Sequence, residues 1–242
     1  MKKINTILAA FSALLMLSVT SANSLEFKAG VSANGMAAYA NAKETLKDSG
    51  RVSNAEAILA TSFASVFAEV SSDEMMGLGI GISYAPEVAD LNKETREIDT
   101  CNDQTSQNTG AACVAKTGTS ADSGTTTVDA KINDLLSVYL TLPVGDTGAY
   151  FKAGYMQATM VTEESLATGS KYEDVDMTGT SLGGGFEGSL GDMAFWRAEG
   201  SYQMWEDISA SGSEAGATTG AKNKITAELG SVTGSLSVGM AF

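Results

Sequence analysis

Histidine is absent from the 242 residues. Imidazole general bases and imidazole metal ligands are therefore excluded together. Cysteine occurs twice, at Cys101 and Cys113. That is too few for a thiolate metal site, which needs three or four soft ligands. Proline also occurs only twice. Basic residues are outnumbered, with 15 Lys and Arg against 29 Asp and Glu and a net charge of −14. A chain this acidic lacks the clustered cations that nucleic-acid phosphates require. Nothing after residue 24 approaches 18 continuous apolar residues, so no transmembrane helix is expected. These absences count against histidine-based catalysis, a metal site and a nucleic-acid partner, and no catalytic residues and no cofactor are expected.

The first 24 residues have their own logic. Lys2 and Lys3 make a basic start, Ile7 to Val19 is a short apolar run, and Ser21, Ala22, Asn23 and Ser24 are small or polar. The run is shorter than the roughly 20 residues a membrane-spanning helix needs. It reads as a secretory signal peptide over 1–24, cleaved after Ala22 or after Ser24. In an exported chain, Cys101 and Cys113 read as a disulfide closing a small loop.

What the rest of the chain has is alternation. Leu236, Val238, Met240 and Phe242 alternate with Ser235, Ser237, Gly239 and Ala241 up to the last residue. Met76, Leu78, Ile80, Ile82 and Tyr84 alternate with Gly77, Gly79, Gly81 and Ser83. Period two is the mark of a strand with two unlike faces. Large apolar residues against glycines suit a narrow barrel, oily outside and small inside.

Eight strands follow, over 25–40, 56–70, 75–85, 128–142, 149–161, 176–189, 193–204 and 223–242. Residues 56–70 also fit helical spacing, and Ser53 with Glu56 resembles a capping box. The tight turn at 71–74, leading into a clear strand, favours the strand. A change of phase near Gly230 suggests a bulge. Short turns at 71–74, 143–148 and 189–193 alternate with long polar loops at 41–55, 87–126, 163–175 and 206–222. That rhythm predicts an all-β, closed up-and-down transmembrane barrel of about eight antiparallel strands over 25–242, with a long loop at 87–126. Its termini would be periplasmic and its long loops extracellular. Asp90, Asp99, Asp103 and Asp122 match no calcium-loop spacing and read as solvated.

On the inward face, a hairpin centred on Gly191 sets Arg197 opposite Gly185 and Glu199 opposite Gly183, with Glu187 diagonal to Arg197. Large charges opposite glycines predict an ion-pair network in the lumen of Lys152, Glu187, Arg197 and Glu199, with Glu26 and Lys28 as further candidates. The glycine rows suggest some water inside.

Several pieces are similar to a known family. They are Leu142-Pro143, Tyr150-Phe151-Lys152-Ala153-Gly154-Tyr155, Gly183-Gly184-Gly185-Phe186-Glu187 and Arg197-Ala198-Glu199-Gly200-Ser201-Tyr202. They resemble the small outer-membrane barrels that include the OmpA transmembrane domain, OmpX and the opacity proteins. The end at Leu236, Val238, Met240 and Phe242 resembles the terminal Phe signal read by barrel-insertion machinery through strand addition. The resemblance implies an eight-stranded barrel in the outer membrane of a Gram-negative bacterium. Its expected partners are the lipid bilayer and the insertion machinery, with small solutes or surface ligands as further candidates. The expected role is porin-like or structural, with a narrow or plugged lumen. The alternative is surface recognition or adhesion through the extracellular loops. A soluble lipocalin-like or sandwich protein is a further alternative. Membrane-face enzymes such as lipid A deacylases, phospholipases and proteases use histidine, which leaves only a carboxylate-only mechanism, and no enzyme is expected.

Overall fold

The computed structural model describes residues 25–45, 52–99, 123–165, 172–215 and 222–242. The signal peptide with its cleavage site, the Cys101–Cys113 pairing, Asp103 and Asp122 all lie outside the described residues. The described residues form nine strand segments: β1 (Leu25–Thr45), β2 (Val52–Ser72), β3 (Leu78–Asp99), β4 (Ser123–Pro143), β5 (Ala149–Ser165), β6 (Val175–Ser189), β7 (Ala194–Trp205), β8 (Ile208–Ala215) and β9 (Lys222–Ala241). Each pairs antiparallel with its neighbour, and β9 returns to β1. The sheet is therefore a closed barrel. β7 and β8 are two halves of one wall strand, both paired to β9 and parted at Glu206–Asp207, which gives eight strands.

The closing ladder runs from Lys28↔Ala241 to Thr45↔Lys224. Phe27 and Phe242 exchange both backbone hydrogen bonds, at 3.2 and 2.8 Å, and the Ala241 amide donates to Met193 at 2.7 Å. The end of β9 is thus held by β1 on one side and by the turn before β7 on the other. The pairing can be followed once round the wall, through Lys28, Glu69, Gly81, Tyr139, Gly154, Ser181, Gln203 and Ser231. It returns to β1 at Ala38, a shear of ten residues. For eight strands that shear implies a tilt of about 40° and an interior that side chains can fill.

The structure bears out the strand reading of 56–70 and corrects several other sequence expectations. Residues 56–70 are strand throughout, inside β2. They look helical because both faces are apolar: Phe63 and Phe67 share the parity of inward Glu69, while Val66 and Val70 face out. The loops at 87–126 and 206–222 are shorter than expected. β3 and β4 stay paired to Asp99 and Ser123, with bulges at Glu87–Ala89 and Leu91–Glu94, and β8 occupies 208–215. Thr and Val in these polar stretches suit strands as well as loops. β9 carries no bulge at Gly230, since its pairing with β1 runs unbroken past Tyr39↔Gly230. The irregularity lies on its other neighbour, at Glu206–Asp207. The β6–β7 register is two residues from the expected one: Arg197 pairs with Glu187, and Glu199 with Gly185. The turn is centred on Asp192, not on Gly191, because it is closed by the Leu190 amide donating to Ala194 at 2.7 Å. Two residues of slip preserve parity, so the inward set is unchanged.

Candidate functional site: a lumen in three layers

The two faces of each strand differ in chemistry. Outward residues include Val31, Val66, Leu140, Phe151, Leu182, Phe186, Trp196 and Leu236, all exposed. Inward residues carry the charge. Arg197 and Glu69 are each only 4% exposed, while outward Phe151 and Leu236 are 63% and 68% exposed. A water-soluble protein arranges these the other way round.

The layer nearest the short turns is a floor of ion pairs and rings. Arg197 donates from both terminal nitrogens to Glu69 (3.0 and 2.9 Å) and from Nε to Glu187 (2.7 Å). The fork-on-fork geometry is the strong form of this contact. Three rings surround the guanidinium: Phe195 at 5.1 Å, Phe67 at 5.4 Å and Tyr150 at 5.4 Å. Lys28 bridges Glu187 at 2.6 Å and Glu26 at 3.1 Å. Lys152 pairs with Glu199 at 2.9 Å and lies 4.0 Å over the Tyr139 ring. The Tyr150 hydroxyl donates to the same Glu199 oxygen at 2.8 Å.

The structure thus brings Lys152, Glu187, Arg197, Glu199, Glu26 and Lys28 together in one lumen region. Sequence reasoning missed Glu69, which is at the centre. A signal existed, because Glu69 shares the inward parity of Phe67 and pairs directly with Lys28. Phe67, Phe195 and Tyr150 were missed as well. The glycine rows make room for these groups. A Cβ at Gly30 would meet Phe67, one at Gly81 Tyr139, and one at Gly239 Phe195. The space opposite those glycines holds rings, not water.

Above the floor lies a hydroxyl-lined chamber of about 90 Å³, bounded by Ser32, Ser65, Ser83, Ser137, Ser181, Ser201 and Thr233 among others. Ser32 and Ser237 share a hydrogen bond of 2.8 Å. Asn34 donates to Ser65 at 3.0 Å and accepts from Ser235 at 2.7 Å. Gln203 accepts from Ser231 and Thr233 at 2.9 and 3.2 Å. Tyr139 also lines the chamber, and its hydroxyl is the one buried side-chain polar atom among the described residues with no hydrogen-bond partner.

A third layer, towards the long hairpins, is apolar. Met36, Ala85 and Val88 are buried there and packed by Ala38, Phe63, Ile132 and Leu135. Met177, Trp205 and Leu229 line a pocket of about 30 Å³ in the same layer.

The remaining sequence candidates lie elsewhere. Leu236, Val238, Met240 and Phe242 form an exposed outward row on β9. Asp90 is exposed, and among the described residues no three His, Cys, Asp or Glu side chains converge to hold a metal.

Fold and site together define a class: a closed eight-stranded antiparallel barrel, apolar outside and charged inside. Solved structures similar to the chain include the outer membrane protein OprG from Pseudomonas aeruginosa, at 12% identity and TM-score 0.47, covering 90% of this chain and 96% of that one. The outer membrane protease OmpT from Escherichia coli is similar at 10% identity and TM-score 0.46, covering 90% and 97%. Ail, the attachment invasion locus protein of Yersinia pestis, is similar at 12% identity and TM-score 0.35, covering 88% and 99%. No family model matches the chain, and no curated protein matches it.

Proposed function

We propose that the protein is an integral outer-membrane barrel of a Gram-negative bacterium, structural or porin-like in role, with a closed lumen. The observation that carries this is the inverted wall. Outward apolar residues on β9 run from Val232 to Phe242. At a tilt of about 40°, ten residues rise about 25 Å, the height of a barrel's lipid band. Aromatic residues flank the band: Phe151, Phe186, Trp196 and Phe242 towards the short turns, and Tyr39 and Tyr202, whose hydroxyls meet at 3.1 Å, towards the hairpins. In this reading the termini are periplasmic, the hairpins extracellular, and the row Leu236, Val238, Met240 and Phe242 is what insertion machinery would read. The reading assigns no enzymatic role.

The test is refolding of the mature chain into lipid vesicles. Expected are a heat-modifiable gel shift, β-type circular dichroism and no discrete conductance steps in a planar bilayer. A monomer that stays soluble without detergent and ignores vesicles would overturn the membrane assignment. Discrete steps from the folded wild type would overturn the closed lumen.

One observation favours a second reading, surface recognition. β3 has 22 residues, about 55 Å along the tilted axis, so the hairpins rise well beyond a lipid band of about 25 Å. Removing residues 94–128 would abolish surface binding and leave folding intact.

A further inference from the structure

The lumen is closed in two places, by unlike means. On β1 the inward residues run Lys28, Ser32, Asn34, Met36, Ala38, from charge through polar groups to hydrocarbon. β4 repeats the step from polar to hydrocarbon with Ser137 and Leu135, and β3 with Ser83 and Ala85. Met36, Leu135 and Trp205 line both the chamber below and the apolar pocket above. The chamber has room for several waters, and the hydroxyls, Asn34 and Gln203 in its mixed lining would solvate them. Tyr139 adds a buried hydroxyl with no hydrogen bond of good geometry among the described residues, and an ordered water is the usual partner of such a group. The layer above has no comparable polar lining. Narrow apolar constrictions stop ions by dewetting, without any charge.

We propose that the hydroxyl-lined chamber is an occluded water site between two independent locks: the Arg197 ion-pair floor and the apolar collar of Met36 and Leu135. This rests on the closed-lumen reading above and deepens it. Opening either lock alone admits solvent to the chamber from one end. Ions cross only when both are open.

The test uses the full mature barrel with Cys101→Ser and Cys113→Ser, and Ser137→Cys as a probe inside the chamber. The floor variant is Glu69→Ser with Arg197→Ser, which removes one charge of each sign and leaves Glu187 paired to Lys28. The collar variant is Met36→Ser with Leu135→Ser. The reagent is a small cationic methanethiosulfonate, and folding is checked by the heat-modifiable shift. Reaction of the thiol introduced by Ser137→Cys is expected to be slow in the parent and at least tenfold faster in either two-site variant. Conductance steps are expected only from the four-site variant. A floor variant that conducts alone, a collar variant that leaves thiol reactivity unchanged, or a folded four-site variant that stays silent overturns the proposal. Conduction by the parent would overturn the closed-lumen reading instead. Should the four-site variant fail to fold, the thiol rates of the two-site variants still decide.

Discussion

The floor and the collar are cross-sections of one barrel, a few residues apart along the same strands, and they fill the same width with opposite chemistry. At the floor, Arg197 satisfies three carboxylate oxygens and sits among three rings. Charge can be buried there because nearly every partner is present. At the collar, Met36, Ala85 and Val88 are buried with no charge at all. The difference shows two ways of closing a barrel. Paired charges are intolerant of losing one member, because the survivor is left desolvated. Packed hydrocarbon degrades gradually, by the volume removed.

The largest effect should therefore come from the floor. Arg197→Ala strands Glu69 in a buried site and leaves Glu187 to its pair with Lys28, and loss of one partner of a buried pair costs about 3–5 kcal/mol. Urea unfolding of the vesicle-inserted barrel should show it as a lower midpoint with an unchanged slope. Arg197→Lys should recover only part, since an ammonium cannot reproduce the two-pronged contact. Equal midpoints for Arg197→Ala and wild type would show that the network contributes no stability, and the contrast with the collar would collapse.

The collar should respond less. Met36→Ala removes a side chain that is 8% exposed, in a layer that already has a small void. A buried Met→Ala change costs about 2–5 kcal/mol, and the neighbouring void places Met36 near the lower end of that range. Its unfolding midpoint should fall between those of Arg197→Ala and wild type. A loss as large as that of Arg197→Ala would mean that the two layers are equally brittle.

The same contrast explains what could be read from the sequence. The closed barrel was legible because alternation is strict where the inside is polar and the outside oily, as in Leu236 to Phe242. Parity alone brought Lys152, Glu187, Arg197 and Glu199 to one face. Register was not legible, because the exact centre of the turn decides it, and the turn after Ser189 is centred one residue beyond its glycine. Alternation fails where the collar puts hydrocarbon inside. Phe63 and Phe67 made 56–70 look helical. Leu229, inward in the collar, made β9 seem to slip at Gly230. The lining had changed there, not the strand. Glu69 was overlooked because it lies on that same ambiguous strand. The polar strand ends beyond the collar looked like loops because no apolar face marks them.

The smallest effects should separate the inner wall from the outer at single glycines. Gly81 faces the floor, and an added Cβ would collide with the buried Tyr139 ring. That ring is held between the wall and Lys152, so it cannot swing aside cheaply, and overpacking of this kind costs about 1–3 kcal/mol. Gly200 faces outward, in a row with its cross-strand partners Gly184 and Gly234, and a Cβ there meets nothing within 4 Å. Gly200→Ala should shift the unfolding free energy by less than about 0.5 kcal/mol, and a small gain is expected because the alanine narrows the unfolded ensemble. Gly81→Ala should unfold at lower urea than Gly200→Ala under identical lipid conditions. If the order were reversed, the Gly200 row would be the close-packed surface, with a neighbour in the membrane pressed against it, and the floor would be the looser of the two.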